Sequence, residues 1–234
     1  MKIALAQINS VVGDIDGNAK RIISVLAKAK ADIVVFPELS ITGYSPQDLL
    51  LRKNFIGKNI DALRHIVRHV KNKTVIVGFV EKAYESIYNS AAIIKDQQIQ
   101  EIHRKICLPN YTIFDEKRWF KEGTHATTFQ FKGMTIGVNI CEDIWLPETV
   151  KRQKDRGAGF IVNISASPYM QGKIEAVESV LKQRWKENKL PMIYVNQIGG
   201  QDGIVYYGHS MYFNNGKIVK KAKDFEEEIL TVEL

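Results

Sequence analysis

The feature that most constrains this chain is a cysteine placed directly after a buried strand. Residues 134–140 are mostly apolar and β-branched, interrupted by Gly137, which predicts a buried strand. Cys141 follows at once, and a helix is expected from Leu146-Pro147, with Gly157 as its C-cap. A thiol between a strand and a helix stands where backbone N–H groups can hold an oxyanion. A buried structural cysteine is the alternative.

The composition is that of a single globular α/β domain with reduced thiols. The 234 residues are 45% hydrophobic, which is enough for one sizeable core. Cys107 and Cys141 show no disulfide framework, and the apolar start at residues 2–8 is too short for a signal peptide. No apolar run approaches the roughly 20 residues of a membrane span. We therefore expect a cytoplasmic protein that does not enter a membrane.

Basic residues outnumber acidic ones by 33 to 26, which raises the question of a nucleic-acid partner. They are dense from residue 52 to 73, but Ile60, Leu63, Ile66 and Val70 recur there at helical spacing. This pattern indicates an amphipathic helix whose Arg and His residues form the solvated face. We find neither basic residues interleaved with aromatic ones nor a recognisable nucleic-acid-binding motif, so we expect no nucleic-acid partner.

Strands and helices alternate along the chain, which predicts an α/β fold. Strands are expected at residues 2–8, 32–36, 74–80, 89–94, 99–102, 127–131, 135–140, 160–164 and 192–196, with a closing pair near 210–213 and 229–232. Helices are expected at 18–30, 59–70, 146–156 and 175–188, a long irregular loop at 104–123 and a glycine-rich loop at 199–203. Two strand–helix–strand halves predict a two-sheet core with helices outside.

Three reactive side chains follow predicted strands. Glu38, Lys105 and Cys141 each stand at or just past the end of an apolar segment. The ends of parallel strands gather at one rim of a sheet, where binding sites form. A thiol can act there as a nucleophile, a carboxylate as its base, and an ammonium as a partner for developing negative charge. Taken singly, Glu38 and Lys105 are more often surface charges than catalysts.

The chain resembles the nitrilase, or carbon–nitrogen hydrolase, superfamily in three segments. These are Phe-Pro-Glu-Leu-Ser at 36–40, Arg-Lys-Ile-Cys-Leu-Pro-Asn-Tyr at 104–111 with Phe-Asp-Glu at 114–116, and Asn-Ile-Cys-Glu-Asp-Ile-Trp at 139–145. Residues 163–168 and 196–202 further resemble the glutaminase domain of glutamine-dependent NAD synthetase. The resemblance implies a four-layer α-β-β-α sandwich, a homodimer or larger homo-oligomer, and no metal or organic cofactor.

The same resemblance implies roles for individual residues. Glu38 corresponds to the general base, Cys141 to the nucleophile, Lys105 to the lysine of the triad, and Glu116 to a second glutamate that orients the lysine and the substrate. The glutamine pocket of the family falls on Tyr44, Tyr111, Glu142, Trp145, Ser167 and Lys173. Tyr111 and Trp145 are equally open to interpretation as packing aromatics. Beside Lys105 and a helix start, Cys141 is expected to have more thiolate character than Cys107.

These features together predict a cysteine amidase that hydrolyses L-glutamine and supplies ammonia to a separate NAD synthetase. Residues 1–234 are expected to form one glutaminase domain, because no Ser-Gly-Gly-x-Asp-Ser pyrophosphate loop of a synthetase is present. The alternatives are a free-standing amidase for another small ω-amide or N-carbamoyl substrate and a catalytically silent regulatory subunit. This chain has Gly203 and Tyr207 where that branch of the family usually has acidic residues. How this loop would signal to a synthetase is therefore left open.

Overall fold

The core is built from β-strands, and the computed structural model describes the whole chain from Met1 to Leu234. In chain order the strands are β1 (Lys2–Gln7), β2 (Ile33–Val35), β3 (Thr74–Ala83), β4 (Ser86–Lys95), β5 (Gln98–Arg104), β6 (Thr128–Phe131), β7 (Met134–Ile140), β8 (Phe160–Ser165), β9 (Met192–Asn196), β10 (Ile198–Gln201), β11 (Ile204–Tyr207), β12 (Met211–Asn214), β13 (Lys217–Lys221) and β14 (Glu228–Glu233). They form two six-stranded sheets and one hairpin, β10–β11.

The strand directions place the ends of several strands at the same rim of each sheet. The first sheet has the order β14-β1-β2-β3-β4-β5, in which β1, β2 and β3 are parallel. Strand β5 runs in the direction of β3, because both are antiparallel to β4. The second sheet has the order β13-β12-β9-β8-β7-β6, with β7, β8 and β9 parallel. The segments after β2, β5 and β7 thus begin at carboxyl ends, where α/β proteins place their sites.

The outer edge of the first sheet is covered by β14. This strand pairs antiparallel with β1 along its whole length, from Lys2 opposite Glu233 to Gln7 opposite Glu228. The pairing satisfies the backbone groups of β1, in which every residue after Lys2 is buried. Strand β1 is therefore an interior strand, although it is the first one in the sequence.

The chain forms five helices: α1 (Ile15–Lys28), α2 (Phe55–His69), α3 (Glu116–Trp119), α4 (Pro147–Asp155) and α5 (Lys173–Asn188). One stripe of α1 is buried, as expected for a surface helix, and it contains Ile15, Ala19, Ile22 and Leu26. Pro147 begins α4, and Gly157, with a φ of +85°, lies just past its end. The predicted start and C-terminal glycine of this helix are confirmed.

The buried apolar residues form three clusters that define four layers. One cluster joins the first sheet to α1 and α2, for example through Val34 and Ile22. A second fills the space between the two sheets, with Leu5 and Ile140 among its residues. A third packs the second sheet against α4 and α5. The structure is thus the expected four-layer α-β-β-α sandwich, because each sheet buries both of its faces.

The glycine-rich segment after β9 differs from the prediction of a loop. Residues 199–203 belong largely to β10 and to the two-residue turn that joins it to β11. Asp202 and Gly203 in this turn have φ values of +52° and +74°. Positive φ at both central residues is the requirement of a type I′ hairpin turn, which Asp-Gly meets at low cost. The glycine at 203 is therefore explained by local backbone geometry.

Strands lie at both positions expected for the closing pair, near 210–213 and 229–232, but the expectation that they pair with each other is wrong. Strand β12 lies in the second sheet and pairs with β13, whereas β14 lies in the first sheet. The sequence analysis missed β13, Lys-Ile-Val-Lys-Lys, because it is an edge strand with no buried residue. An edge strand of this kind lacks the apolar alternation by which strands are recognised, and its lysines protect the edge from further pairing.

Candidate active site

The chain turns sharply at the carboxyl end of β7. Ile140 is extended, whereas Cys141 has a φ of +43°, and Cys141–Ile144 form one 3₁₀ turn before α4. A non-glycine residue with positive φ is uncommon and concentrates at functional turns. The predicted placement of Cys141 between a strand and a helix is confirmed, and the residue is 5% exposed.

A buried lysine joins two carboxylates close to this turn. Lys105 directly follows β5, and its Nζ lies 2.7 Å from Oε1 of Glu38 and 2.7 Å from Oε1 of Glu116. All three side chains are almost completely buried, and their charges act on the Cys141 thiol. Two charge-assisted hydrogen bonds offset the desolvation of the ammonium. The structure thus brings the four residues singled out for catalysis into one cluster.

Glu38 receives two further hydrogen bonds from residues that the sequence analysis missed. Asn89 Nδ2 donates to Oε1 at 2.8 Å, and the Ala166 N–H donates to Oε2 at 2.9 Å. Asn89 lies on β4 and Ala166 directly follows β8, so both sheets hold the carboxylate. An amide in an otherwise apolar strand was the one signal in the sequence that could have pointed to Asn89. Three donors leave one lone pair of Glu38, on Oε2, without a protein partner.

Glu116 is held differently from Glu38. Its Oε1 accepts the hydroxyl of Tyr44 at 2.7 Å as well as the Lys105 ammonium, whereas Oε2 is buried without a partner. Burial raises the pKa of the Glu116 carboxyl to about 7; Lys105 offsets the burial only in part, and the negative Glu38 adds to the rise. Burial disfavours the charged form of Lys105, but Glu116 and Glu38 outweigh it and raise the pKa of the ammonium well above its ordinary value.

The surroundings of the Cys141 thiol disfavour its ionised form. Burial and the negative charge of Glu38 raise its pKa well above the ordinary value, although Lys105 acts in the opposite direction. Burial and Asp143 likewise raise the pKa of Cys107, to about 12. The sequence analysis expected more thiolate character at Cys141 than at Cys107. In the structure desolvation raises the pKa of both thiols, and at Cys141 it outweighs the attraction of the lysine. A thiol in this state needs a base to become a nucleophile.

Four of the residues proposed for a glutamine pocket form two separate pairs. The Tyr111 hydroxyl donates to both carboxylate oxygens of Glu142, at 3.1 and 2.9 Å. Lys173 Nζ lies 3.9 Å from the centre of the Trp145 ring, a cation–π contact.

The remaining two residues of the set lie deeper. Tyr44 contacts Glu116, as described above, and Ser167 is buried directly after Ala166. The backbone N–H and carbonyl of Ser167 both bond to the side chain of Asn196, at 2.8 and 3.2 Å.

Comparison with known proteins identifies the family. The sequence profile of the carbon–nitrogen hydrolases matches residues 2–234. The chain belongs to the carbon–nitrogen hydrolase family. This hydrolase is similar to a glutamine-dependent NAD(+) synthetase of Aquifex aeolicus, with 42% identity over 239 residues, covering 100% of this chain and 42% of that protein.

Solved structures support the same fold. A glutamine-dependent NAD+ synthetase from Acinetobacter baumannii, in complex with ADP, superimposes with a TM-score of 0.94 and 39% identity, over 98% of this chain and 44% of that one. An amidase of the nitrilase superfamily from Nesterenkonia superimposes with a TM-score of 0.90 and 23% identity, over 100% of this chain and 90% of its own. The hydrolase spans less than half of the length of the synthetases it matches.

A cavity adjoins the cluster in this carbon–nitrogen hydrolase. It measures about 240 Å³ and is lined by Tyr44, Phe114, Glu116, Trp119 and Tyr206, among others. A larger groove of about 800 Å³ lies between α1 and β14, and none of the clustered residues lines it. Proximity to the charged groups, rather than size, marks the smaller cavity as part of the site.

Two further findings concern metal ligands and membrane-spanning helices in the hydrolase. No group of three or more His, Cys, Asp or Glu side chains is arranged to hold a metal ion. None of the helices is both long and apolar enough to cross a membrane.

Proposed function

We propose that this carbon–nitrogen hydrolase is a cysteine amidase that converts L-glutamine to L-glutamate and ammonia. The observation that carries the proposal is the buried Lys105, which lies 2.7 Å from both Glu38 and Glu116 next to the turn at Cys141. One cluster thereby supplies a nucleophile, a base and a cation for a developing oxyanion. The relatives named as glutamine-dependent synthetases favour glutamine as the amide.

Glu38 acts as the general base in this proposal. Its carboxylate has one lone pair free, on Oε2, after hydrogen bonds from Lys105, Asn89 and Ala166. That oxygen takes the proton of the Cys141 thiol as sulfur attacks the side-chain amide carbon of glutamine. Glu38 then gives the proton to the amide nitrogen as the C–N bond breaks, so that ammonia leaves and a thioester remains.

Lys105 and the backbone N–H of Glu142 hold the oxyanion of the tetrahedral intermediate. Loss of one such donor costs about 3–4 kcal/mol of transition-state stabilisation. In the second half of the reaction Glu38 removes a proton from water, the hydroxide oxygen attacks the thioester, and the thiolate leaves with that proton. Glu116 keeps the Lys105 ammonium in place and contacts the substrate through its second oxygen.

The charged residues around the cluster suit a zwitterionic amino acid. The Glu142 carboxylate, held by Tyr111, pairs with the α-ammonium group of glutamine, and Lys173, on the Trp145 ring, pairs with its α-carboxylate. Tyr44 and Ser167 complete the walls of the pocket. Opposite charges at two fixed points discriminate glutamine from amides that lack either group.

Residues 1–234 act in this proposal as one glutaminase domain that works with an NAD synthetase part. The domain associates with further copies of itself, and it works in the cytoplasm, where the free Cys141 thiol stays reduced. Gly203 and Tyr207, which replace the usual acidic residues, make the contact with the synthetase different from that in the relatives. Tyr207 is fully buried and Gly203 forms a tight turn, so neither offers a charge to a partner.

Ammonia release tests the proposal most directly. The chain is incubated with L-glutamine, succinamate or an N-carbamoyl amino acid, with and without an NAD synthetase supplied with ATP and its acid substrate. We expect glutamine to be preferred and the synthetase mixture to raise the rate at least about tenfold, a gain that needs only about 1.4 kcal/mol. The mixture should make NAD from glutamine, while either protein alone should not.

The other outcomes select among the alternatives. A fast chain that no synthetase affects and that prefers another amide is a free-standing amidase. A chain that releases no ammonia from any amide, alone or in the mixture, is a silent regulatory subunit. Cys141→Ala is the control in every arm, since it removes the proposed nucleophile and keeps the fold.

A further inference from the structure

The side chain of Asp143 receives hydrogen bonds that the proposed mechanism does not use. Its Oδ1 accepts the backbone N–H groups of Ile106 and Cys107, at 2.9 and 2.8 Å. Its Oδ2 accepts the N–H of Ile140 at 2.9 Å and lies 2.9 Å from Nε2 of His103. The residue is 0% exposed, so four donors surround one buried carboxylate. Such a set fills the four acceptor positions of a carboxylate.

These donors flank the residues that carry the proposed reaction. Ile140 directly precedes Cys141, and Ile106 directly follows Lys105. His103 is the penultimate residue of β5, the strand that delivers Lys105. One carboxylate therefore contacts the backbone before the nucleophile, the backbone after the lysine, and the strand before the lysine.

Directional contacts of this kind are needed because the two residues come from different sheets. Lys105 follows β5 of the first sheet, and Cys141 follows β7 of the second. The two sheets pack through an apolar cluster, and apolar contact is non-directional. Hydrogen bonds, in contrast, weaken steeply when their distance or angle changes. Asp143 supplies four of them where the register of the lysine against the thiol is set.

His103 completes this arrangement as a donor. The ring is 0% exposed, and its Nδ1 has no hydrogen-bond partner. A carboxylate can only accept, so the contact of 2.9 Å with Asp143 is a hydrogen bond that Nε2 donates.

We infer that Asp143 is a positioning residue that holds Lys105 and Cys141 in register for amide hydrolysis, with His103 as the donor that completes its hydrogen bonds. The inference rests on the proposed amidase function. It assigns no contact with the substrate to Asp143, which acts through the backbone before Cys141 and the backbone after Lys105.

The test replaces Asp143 by asparagine and measures kcat and KM for glutamine. The amide keeps one acceptor oxygen, but its NH₂ group cannot accept, so donors at Oδ1 or at Oδ2 lose their partner. A displacement of the order of one ångström lowers kcat by about 100-fold, while KM stays within about threefold. A purely structural role would instead lower the urea midpoint and leave kcat per folded molecule unchanged.

Asp32→Asn is the matched control. Asp32 also accepts a backbone N–H, that of Lys2 at 2.8 Å, and also links the two sheets, through Lys132 at 2.7 Å. It precedes β2 and so lies at the rim opposite Glu38. We expect this variant to keep the wild-type kcat.

A second pair of variants decides the matter if Asp143→Asn does not fold. His103→Gln keeps a side-chain N–H donor, whereas His103→Phe removes the donor and leaves a side chain of similar volume. The inference requires the Gln variant to stay within about fivefold of wild-type kcat and the Phe variant to lose about tenfold or more. Equal kcat in the two variants, or wild-type kcat in Asp143→Asn, overturns it.

The rate of Cys141 alkylation by iodoacetamide separates this inference from the proposed function. The base–thiol alignment controls that rate, and no amide substrate is needed. A wild-type chain without glutaminase activity refutes the proposed function, yet slower labelling of folded Asp143→Asn, with Asp32→Asn unchanged, still supports the positioning role. Equal labelling rates in all three proteins refute it.

Discussion

Replacement of Glu116 by glutamine should remove the free-energy cost of ionising this carboxyl in the folded chain, a cost that depends on pH. In the structure Glu116 shares one ammonium with Glu38, and burial raises its pKa to about 7 from an ordinary value of 4.5. Between these two pH values the folded chain binds more protons at this group than the unfolded chain does. Its contribution to stability is therefore full below pH 4.5 and is lost as the pH rises through 7.

The size of this effect follows from the two pKa values. Ionising Glu116 in the folded chain costs about 3 kcal/mol relative to the unfolded chain, of which about 2–3 kcal/mol falls between pH 5 and pH 8. Glutamine resembles the protonated carboxyl in shape and charge, so the variant does not incur this cost. We expect the stability difference between variant and wild type to shift in favour of the variant by that amount as the pH rises.

Urea unfolding followed by circular dichroism at pH 5, 6, 7 and 8 measures the difference. All other titrating groups are the same in the two proteins, so the contributions of the groups outside the cluster cancel in the comparison. Turnover of the variant should fall most above pH 7, where Glu116 of the wild type is ionised and Lys105 loses one of its two anionic partners. Parallel stability curves for the two proteins across this range would refute the assignment of a raised pKa to Glu116.

Three further predictions concern the cluster. Cys141→Ala should abolish hydrolysis and leave the circular dichroism spectrum unchanged. In the wild type, peptide mass spectrometry should show that a glutamine-like electrophile labels Cys141 but not Cys107, and that glutamine protects Cys141 from the label. Glu38→Gln should prevent both thioester formation and its hydrolysis in a rapid-quench assay, and near-normal turnover would show that Glu38 is structural. Lys105→Met leaves two buried carboxylates without their cation. The free energy of unfolding, measured with urea, should therefore fall by about 3–5 kcal/mol at pH 8. The fall should be smaller at pH 5, because Glu116 takes up a proton there.

The sequence predicted the apolar strands because these depend on local patterns, whereas the four layers were expected from the family resemblance. Strands such as β7 and β8 are buried on both faces, and such strands read as continuous apolar runs. Edge strands carry no such signal, which is why β13 was missed. The partner of β14 could not be derived either, since it pairs with the strand farthest from it in the sequence.

The site was predictable as a set of residues and not as a geometry. Glu38, Lys105 and Cys141 stand at strand ends, and that placement is visible in the sequence. The contacts that hold them come from Asn89 and Ala166, through one side-chain amide and one backbone N–H. A backbone donor has no sequence signature. The rise in the pKa of the Cys141 thiol was not visible in the sequence either, because its desolvation depends on burial that arises from two sheets together.

The pairing of β1 with β14 has a consequence for the synthesis of this chain. Strand β1 is synthesised before the other strands of its sheet, but its outer hydrogen-bonding neighbour is residues 228–233. Until those residues emerge, a nascent chain carries an apolar strand with one unpaired edge, which can join the same strand of another nascent chain. We therefore expect cotranslational aggregation to be greatest just before β14 is made, and products truncated ahead of β14 to depend on chaperones.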